Sequence, residues 1–203
     1  SPRAVPRNNR PRSREAHPVC HDLLRTPKFY ELLELIDEER AQEVRAAGCS
    51  CGGVLHSARY PRKPRGIPRG LRDDDQTRRS FCCDLCRRRH TPRSVLYLGR
   101  RVYVGAMVLL GSALRGSLSG RGLGELCAVL GVPRVTLDRW RRWWNEDFLA
   151  TRVWQALRAQ LMPPITDPMP GGWLVRFTWP DAASRLSQAL RLIAPLSTVT
   201  EGR

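Results

Sequence analysis

Residues 123–144 read LGELCAVLGVPRVTLDRWRRWW, and this stretch decides the helical part of the fold. A first apolar-periodic segment ends at Gly131-Val132, and a second opens polar before turning basic and aromatic. Glycine at 131 supplies the positive φ that a tight turn between two helices needs. A small side chain suits the point where such helices cross, and Cys127 stands there, four residues ahead of Gly131. Val132, Leu137 and Trp140 share the inward face of the second segment. Trp140, Trp143 and Trp144 are half of the chain's six tryptophans. On a helix they more often build a core or an interface than a base-stacking surface, so this helix is expected to pack on two sides, one of them open to a second protomer.

Working outward, further helices are expected. Thr26-Pro27 caps and opens one, with Phe29, Leu32, Leu33, Ile36 and Val44 at helical spacing and Gly48 as its stop. Its opposite face carries Glu31, Glu34, Asp37, Glu38, Glu39 and Glu43, which a polyanion would repel, so that face should point away from one or contact protein. Other helices are expected over Val102 to Arg115, Leu123 to Leu130 and Arg134 to Phe148. An amphipathic stretch then runs to Leu161, where Pro163-Pro164 breaks it. The tail reads as a short strand, Trp173 to Trp179, followed by a helix that Asp181 caps and that runs through Ile193.

Between the first helix and Arg101 the chain is rich in Arg, Pro and Gly, and five of its seven cysteines fall there in two tight clusters. Such clustering is metal-ligand spacing rather than a secreted disulfide framework. Cys83-Asp84-Leu85-Cys86 lets two thiolates converge on one tetrahedral ion from a tight turn. Cys49-Ser50-Cys51-Gly52-Gly53 supplies the other pair, and its glycines permit the turn. Cys49, Cys51, Cys83 and Cys86 are therefore the expected ligands of one Zn2+, which would provide the folding energy that so polar a segment lacks. Cys82 is a spare that could replace Cys83 with looser spacing. Cys20 and Cys127 lie outside the pattern.

The stretch from Cys49 to Arg93 resembles the zinc ribbons that precede helix-turn-helix units in bacterial insertion-sequence transposases and related small mobile-element proteins. Those read Cys-x-x-Cys-Gly, then Cys-x-x-Cys, three basic residues, an aromatic residue and Thr-Pro-Arg. The second half, CDLCRRRHTPR over 83–93, carries the specific match. Two departures stand out: the first pair here is one residue short, and His90 holds the aromatic position, where it reads as a strand residue rather than a ligand. The Gly131 turn in its turn resembles the helix-turn-helix units of transposases and merR-like regulators, with Pro133 in place of their usual serine cap. That resemblance implies that Arg134, Val135, Thr136, Asp138 and Arg139 face a major groove, with Arg134 and Arg139 reading bases and Thr136 touching phosphate or a thymine methyl. Arg141 and Arg142, further along, are implied to contact phosphates.

Charge agrees with such a partner. A formal net charge of +16 and a pI near 10.9 predict a polyanion, most simply double-stranded DNA. Residues 1–18 read as a basic, disordered arm. Residues 59–72 interleave Arg62, Lys63, Arg65 and Arg69 with proline and glycine, an extended loop suited to following a phosphate backbone or probing a minor groove. Asp73-Asp74-Asp75 behind it could bind a divalent ion, but adjacent carboxylates in a loop are usually solvated or paired with neighbouring arginines. The longest apolar run, Val102 to Leu114, is too short to span a bilayer, and no signal peptide opens the sequence, so a cytoplasmic, nucleoid-associated protein is expected. Ser1 in place of methionine is consistent with a trimmed chain.

The expected organisation is mainly α with a small zinc-ribbon β element. It comprises a basic arm (1–25), an amphipathic helix (26–48), the ribbon with its basic loop (49–101), a helix-turn-helix bundle (102–162) and a strand-helix extension (163–203). No catalytic set is legible: the acids after the turn, Glu146, Asp147, Asp167, Asp181 and Glu201, sit on no recognisable framework for a metal-dependent nuclease, and neither a Ser/His/Asp set nor a phosphate-cradling loop occurs. A non-enzymatic DNA binder, alone or with other mobile-element proteins, is the expectation. A transcriptional regulator or an RNA- or ribosome-binding ribbon protein is the alternative.

Overall fold

The computed structural model describes Leu23 and residues 26–58, 60–61, 77–98, 103–115, 120–177 and 181–198. The basic arm, and Arg62, Lys63, Arg65, Arg69 and Asp73 to Asp75, lie outside the described residues.

The chain is mainly helical with small antiparallel sheets. Helix α1 spans Pro27–Ala47; Pro27 fits its first turn, and Gly48 ends it at φ 71° with its N–H on the Arg45 carbonyl. Short strands follow: β1 Leu55–Ser57, β2 Tyr60–Pro61, β3 Thr77–Arg78, β4 Phe81–Cys83 and β5 Arg89–His90. They form a three-stranded sheet in the order β1-β4-β5 and a β2-β3 pair in which Pro61 opposes Thr77. A two-stranded pair has only edges, which is where proline is tolerated. His90 sits in β5 opposite Phe81, as a strand residue. Strands β6 Tyr97–Leu98 and β7 Tyr103–Val104 then pair and lead into α2, Gly105–Arg115. The helix expected from Val102 thus starts at Gly105, because Tyr103 and Val104 are held in a ladder first.

Helices α3 Gly120–Leu130, α4 Arg134–Asn145, α5 Asp147–Ala150, α6 Arg152–Arg158, α7 Gly171–Leu174 and α8 Ala182–Ile193 complete the described order, with a 3-10 turn over Ala194–Ser197. The helix expected through Phe148 breaks after Asn145. Thr151 then caps α6, its hydroxyl accepting from the Trp154 N–H at 3.1 Å. Asp181 caps α8 as expected, accepting from the Ser184 N–H and hydroxyl, both at 2.7 Å. The strand expected from Trp173 is overturned: Trp173 and Leu174 lie in α7 and are buried, while Val175 is 45 % exposed. Alternation would have buried Val175 beside Trp173. Instead Trp173 and Phe177, four residues apart, meet at 5.5 Å on the same side of a helical turn.

The apolar run expected to be too short for a membrane is the centre of the fold. Ala106 to Leu110 of α2 are buried against α1, α3, α4, α7 and α8 in one core, and no described helix is long and apolar enough to cross a membrane. The closest approach is at Gly111, where a Cβ would lie 2.9 Å from Leu130 Cδ1 and 3.3 Å from Leu137 Cδ2. The tryptophans find partners within the chain. Trp140 meets Tyr103 at 5.4 Å, and Trp143 and Trp144 both pack on Phe148, which also touches Trp154 and Trp173.

Helix α1 belongs to two cores at once. Phe29, Tyr30, Leu33 and Ile36 enter the main core, where the Tyr30 hydroxyl meets Met107 Sδ at 3.1 Å; burial pushes that phenol up. Ala41 and Val44, two turns on, pack with Cys49, Leu55, Phe81 and Cys83 in a second, small core. The acidic face does contact protein, but it is this chain's own. Asp37 Oδ1 accepts from the Val95 N–H at 2.7 Å, Oδ2 accepts from the Ser94 hydroxyl, and Glu38 pairs with Arg79. Burial raises the Asp37 carboxyl above its ordinary 3.8, opposed by the Ser94 and backbone hydrogen bonds and by Arg40.

Asp37 therefore sets two expectations. Asp37→Ala leaves the buried Val95 N–H without an acceptor and should cost about 1–3 kcal/mol, read from denaturant midpoints. A carboxyl raised by folding contributes stability that is complete below its unfolded value and is lost as pH rises through its folded value. Asp37→Asn, which cannot titrate, should thus gain on the native chain as pH climbs from below 3.8. A stability difference flat in pH over that window would contradict this assignment.

Candidate metal centre and nucleic-acid interface

The two cysteine turns meet at the end of the β1-β4-β5 sheet. In the first, the Gly52 N–H returns to the Cys49 carbonyl at 2.9 Å, and Gly52 takes φ 82°. In the second, the Cys83 N–H bonds the Arg88 carbonyl at 3.0 Å, and Arg87 takes φ 56°. Each turn thus places a left-handed residue directly after its second cysteine, a glycine in one and an arginine in the other. The pairing of Leu55 with Cys83 sets the turns side by side, and Val54 and Asp84 bind each other beyond it.

The result brings all four expected ligands together. Cys49 Sγ lies 3.5 Å from Cys86 Sγ and 3.5 Å from Cys51 Sγ, Cys51 Sγ lies 3.4 Å from Cys83 Sγ, and all four are within 4.8 Å of one another. A tetrahedral ion with metal–sulfur bonds of about 2.3 Å spaces its sulfurs by about 3.8 Å, so the donor set fits such an ion. The shortened Cys49-Ser50-Cys51 spacing does not keep either thiol out. Among the described residues this is the one convergent group of His, Cys, Asp or Glu able to hold a metal. Cys82 stands outside it, its thiol turned to the Arg87 carbonyl at 3.5 Å. Without a cation the crowding works against ionisation. The Arg88 backbone hydrogen bond favours the Cys86 thiolate, but the Cys51 and Cys49 thiols outweigh it and push Cys86 up to about 12.

Gly53 is the position that sequence reading undervalued. Its backbone needs no special φ; the space does. A Cβ there would fall 2.5 Å from Cys83 Sγ and 2.6 Å from Asp84 Oδ1. The second glycine of Cys-x-Cys-Gly-Gly was its only signal. Val54 and Leu85, 60 % and 68 % exposed at the tip of the turns, carried none.

On α4 the two faces separate cleanly. Leu137, Trp140 and Trp144 are buried, with Val132 ahead of them, while Arg134, Val135, Arg139, Arg141 and Arg142 are exposed and Thr136 and Asp138 half-buried. Gly131 holds the turn at φ 62°, and the Val132 N–H bonds the Cys127 carbonyl at 3.2 Å. Pro133 begins α4 with no side-chain cap, and no acid lies in the first turn, so that end keeps its positive dipole uncompensated. Compared with known protein families, curated proteins and solved structures, the chain finds no match.

Two measurements probe the sulfur site. Purified protein should carry about one metal ion per chain, lost in Cys49→Ser or Cys86→Ser and kept in Cys82→Ser. Gly53→Ala should lower metal content or affinity at least as much as a conservative ligand change, because its methyl group and Cys83 Sγ cannot occupy their places together. Full metal retention in Gly53→Ala would show that the turns are not packed this tightly.

Proposed function

We propose that the chain is a zinc-stapled, helix-turn-helix protein that binds duplex DNA with sequence preference and has no catalysis of its own. The observation that carries this reading is the division of α4 into a buried apolar face and an exposed basic one, behind a glycine turn. A core hairpin has no need of Arg134, Arg139, Arg141 and Arg142 on its outer side. A helix seated in a major groove does, with its N-terminal arginines at base edges and the later ones at phosphates. The net charge of +16 supports a polyanionic partner, and zinc is the ion that a four-thiolate tetrahedral set most commonly holds.

The kinship to insertion-sequence transposases rests on the motif from Cys83 to Arg93 and on the Gly131 turn. Because no catalytic set is legible in the sequence, an accessory or regulatory binder is favoured over a nuclease. On this reading the chain works on DNA at mobile-element ends or at a promoter.

Site selection from random duplexes tests the proposal. The native protein should enrich a defined motif. Arg134→Ala and Arg139→Ala should each cost about 1–3 kcal/mol on it and relax discrimination at the positions they read. Arg142→Ala should weaken all duplexes nearly alike. Identical motifs at identical information content from native, Arg134→Ala and Arg139→Ala proteins would remove α4 as the reader. A preference for structured RNA over duplex would replace DNA as the partner.

A further inference from the structure

The tip of the paired cysteine turns is apolar where nothing in the fold asks it to be. Val54 is 60 % exposed and Leu85 is 68 % exposed. They are neighbours: the Asp84 N–H donates to the Val54 carbonyl at 3.1 Å, and Leu85 Cγ lies 3.0 Å from where a Gly53 Cβ would stand. Neither position is needed for ligation, and a partner that covers the adjacent leucine and valine gains the free energy of removing their apolar surface from water. Around them the surface is basic, with Arg87, Arg88 and Arg89 all exposed on the same turn and the start of β5. The one carboxylate at the tip is engaged within it. Asp84 Oδ1 accepts from the Val54 N–H at 2.8 Å, and Oδ2 faces His56 Nε2 at 3.8 Å.

A small, sulfur-anchored apolar tip with a run of three exposed arginines following it has the chemistry of a minor-groove wedge. Such wedges pack apolar side chains against sugars or a partly unstacked base step while arginines hold the flanking phosphates. Charge complementarity argues for nucleic acid over a protein partner. The apolar character of the tip argues for the minor groove, where such side chains enter between base steps. Resting on the reading of the chain as a duplex-DNA binder, we infer that Leu85 and Val54 form a minor-groove contact site, flanked by Arg87, Arg88 and Arg89 and separate from α4.

The test uses the full-length, zinc-loaded chain on its selected duplex, with affinity measured across a salt series. Leu85→Gln and Leu85→Met both give an unbranched side chain of similar size and flexibility, the first polar and the second apolar. Leu85→Gln should lower affinity about tenfold and Leu85→Met less than about twofold, with zinc content unchanged in both. The salt slope should stay at the native value, because an apolar contact releases no counterions. Arg88→Gln should instead flatten the slope by about 0.9. Saturating a netropsin-type minor-groove ligand should erase the difference between native and Leu85→Gln proteins.

Native protein that fails to bind duplex would overturn the functional reading and this inference together. Native binding with Leu85→Gln equal to native would overturn the inference alone and leave α4 as the DNA contact. Equal losses in Leu85→Gln and Leu85→Met, or a difference that survives the minor-groove ligand, would also overturn it.

Discussion

Four cysteine sulfurs drawn to within 4.8 Å of one another are not held there by the apolar packing behind them. That packing consists of Ala41, Cys49, Leu55, Phe81 and Cys83, with Val44 at its margin. Two of the five are themselves candidate ligands, and the strands they join are two or three residues long. Ordering the backbone of β1, β4, β5 and the two cysteine turns costs far more than one leucine and one phenylalanine return on burial. The sheet is therefore an end structure of the sulfur site. Its register follows from bringing the two turns face to face. With the proposed Zn2+ bound, coordination free energy is folding free energy for this part of the chain.

Helix α1 couples that part to the rest. A rigid helix with its first turns in the main core and its last in the small one transmits position between them, and polar contacts reinforce it midway. Asp37 holds Ser94 and Val95, Glu38 holds Arg79, and Ser197 accepts from Arg78 while its hydroxyl receives the Ser94 N–H at 2.8 Å. These bonds tie the chain to α1 and to the 3-10 turn on both sides of the second cysteine turn, at Arg78 and Arg79 ahead of it and at Ser94 and Val95 behind it. The acidic stripe of α1 in so basic a chain is thus a structural adhesive as much as a solvated face.

What was legible in the sequence was what local chemistry fixes. Ligand spacing in a turn is set over a few bonds, so Cys49, Cys51, Cys83 and Cys86 could be named, as could Thr26-Pro27, Gly48 and Asp181 at helix ends. The inward face of α4 followed from period alone. Misreadings arose where distant residues decide. Trp173, Val175, Phe177 and Trp179 alternate as a strand would, yet Trp173 and Leu174 lie in α7, where Trp173 meets Trp144, Phe148 and Phe177; Trp179 lies outside the described residues. Asp37 looked like one acid among six because its partners stand more than fifty residues away. Gly111 gave no signal inside an apolar run, since only the packed neighbours Leu130 and Leu137 make a side chain impossible to seat without displacement.

This last contact bears on how a DNA binder of the proposed kind would discriminate. Positive charge delivers affinity without sequence information, and a charged helix free to roll would slide over any duplex. Discrimination needs Arg134 and Arg139 held at a fixed rotation about the α4 axis, since a bidentate guanidinium loses its paired geometry within small angular errors. That rotation is set on the opposite face, where Leu137 and Trp140 press onto α2 around Gly111 and Trp140 stacks edgewise on Tyr103 at 5.4 Å. On the proposed reading, the residues that choose the sequence are therefore aimed by residues that never touch it. On that reading a Cβ at Gly111, 2.9 Å from Leu130 Cδ1 and 3.3 Å from Leu137 Cδ2, would disturb this packing without removing any exposed arginine, so specificity should fall before affinity does.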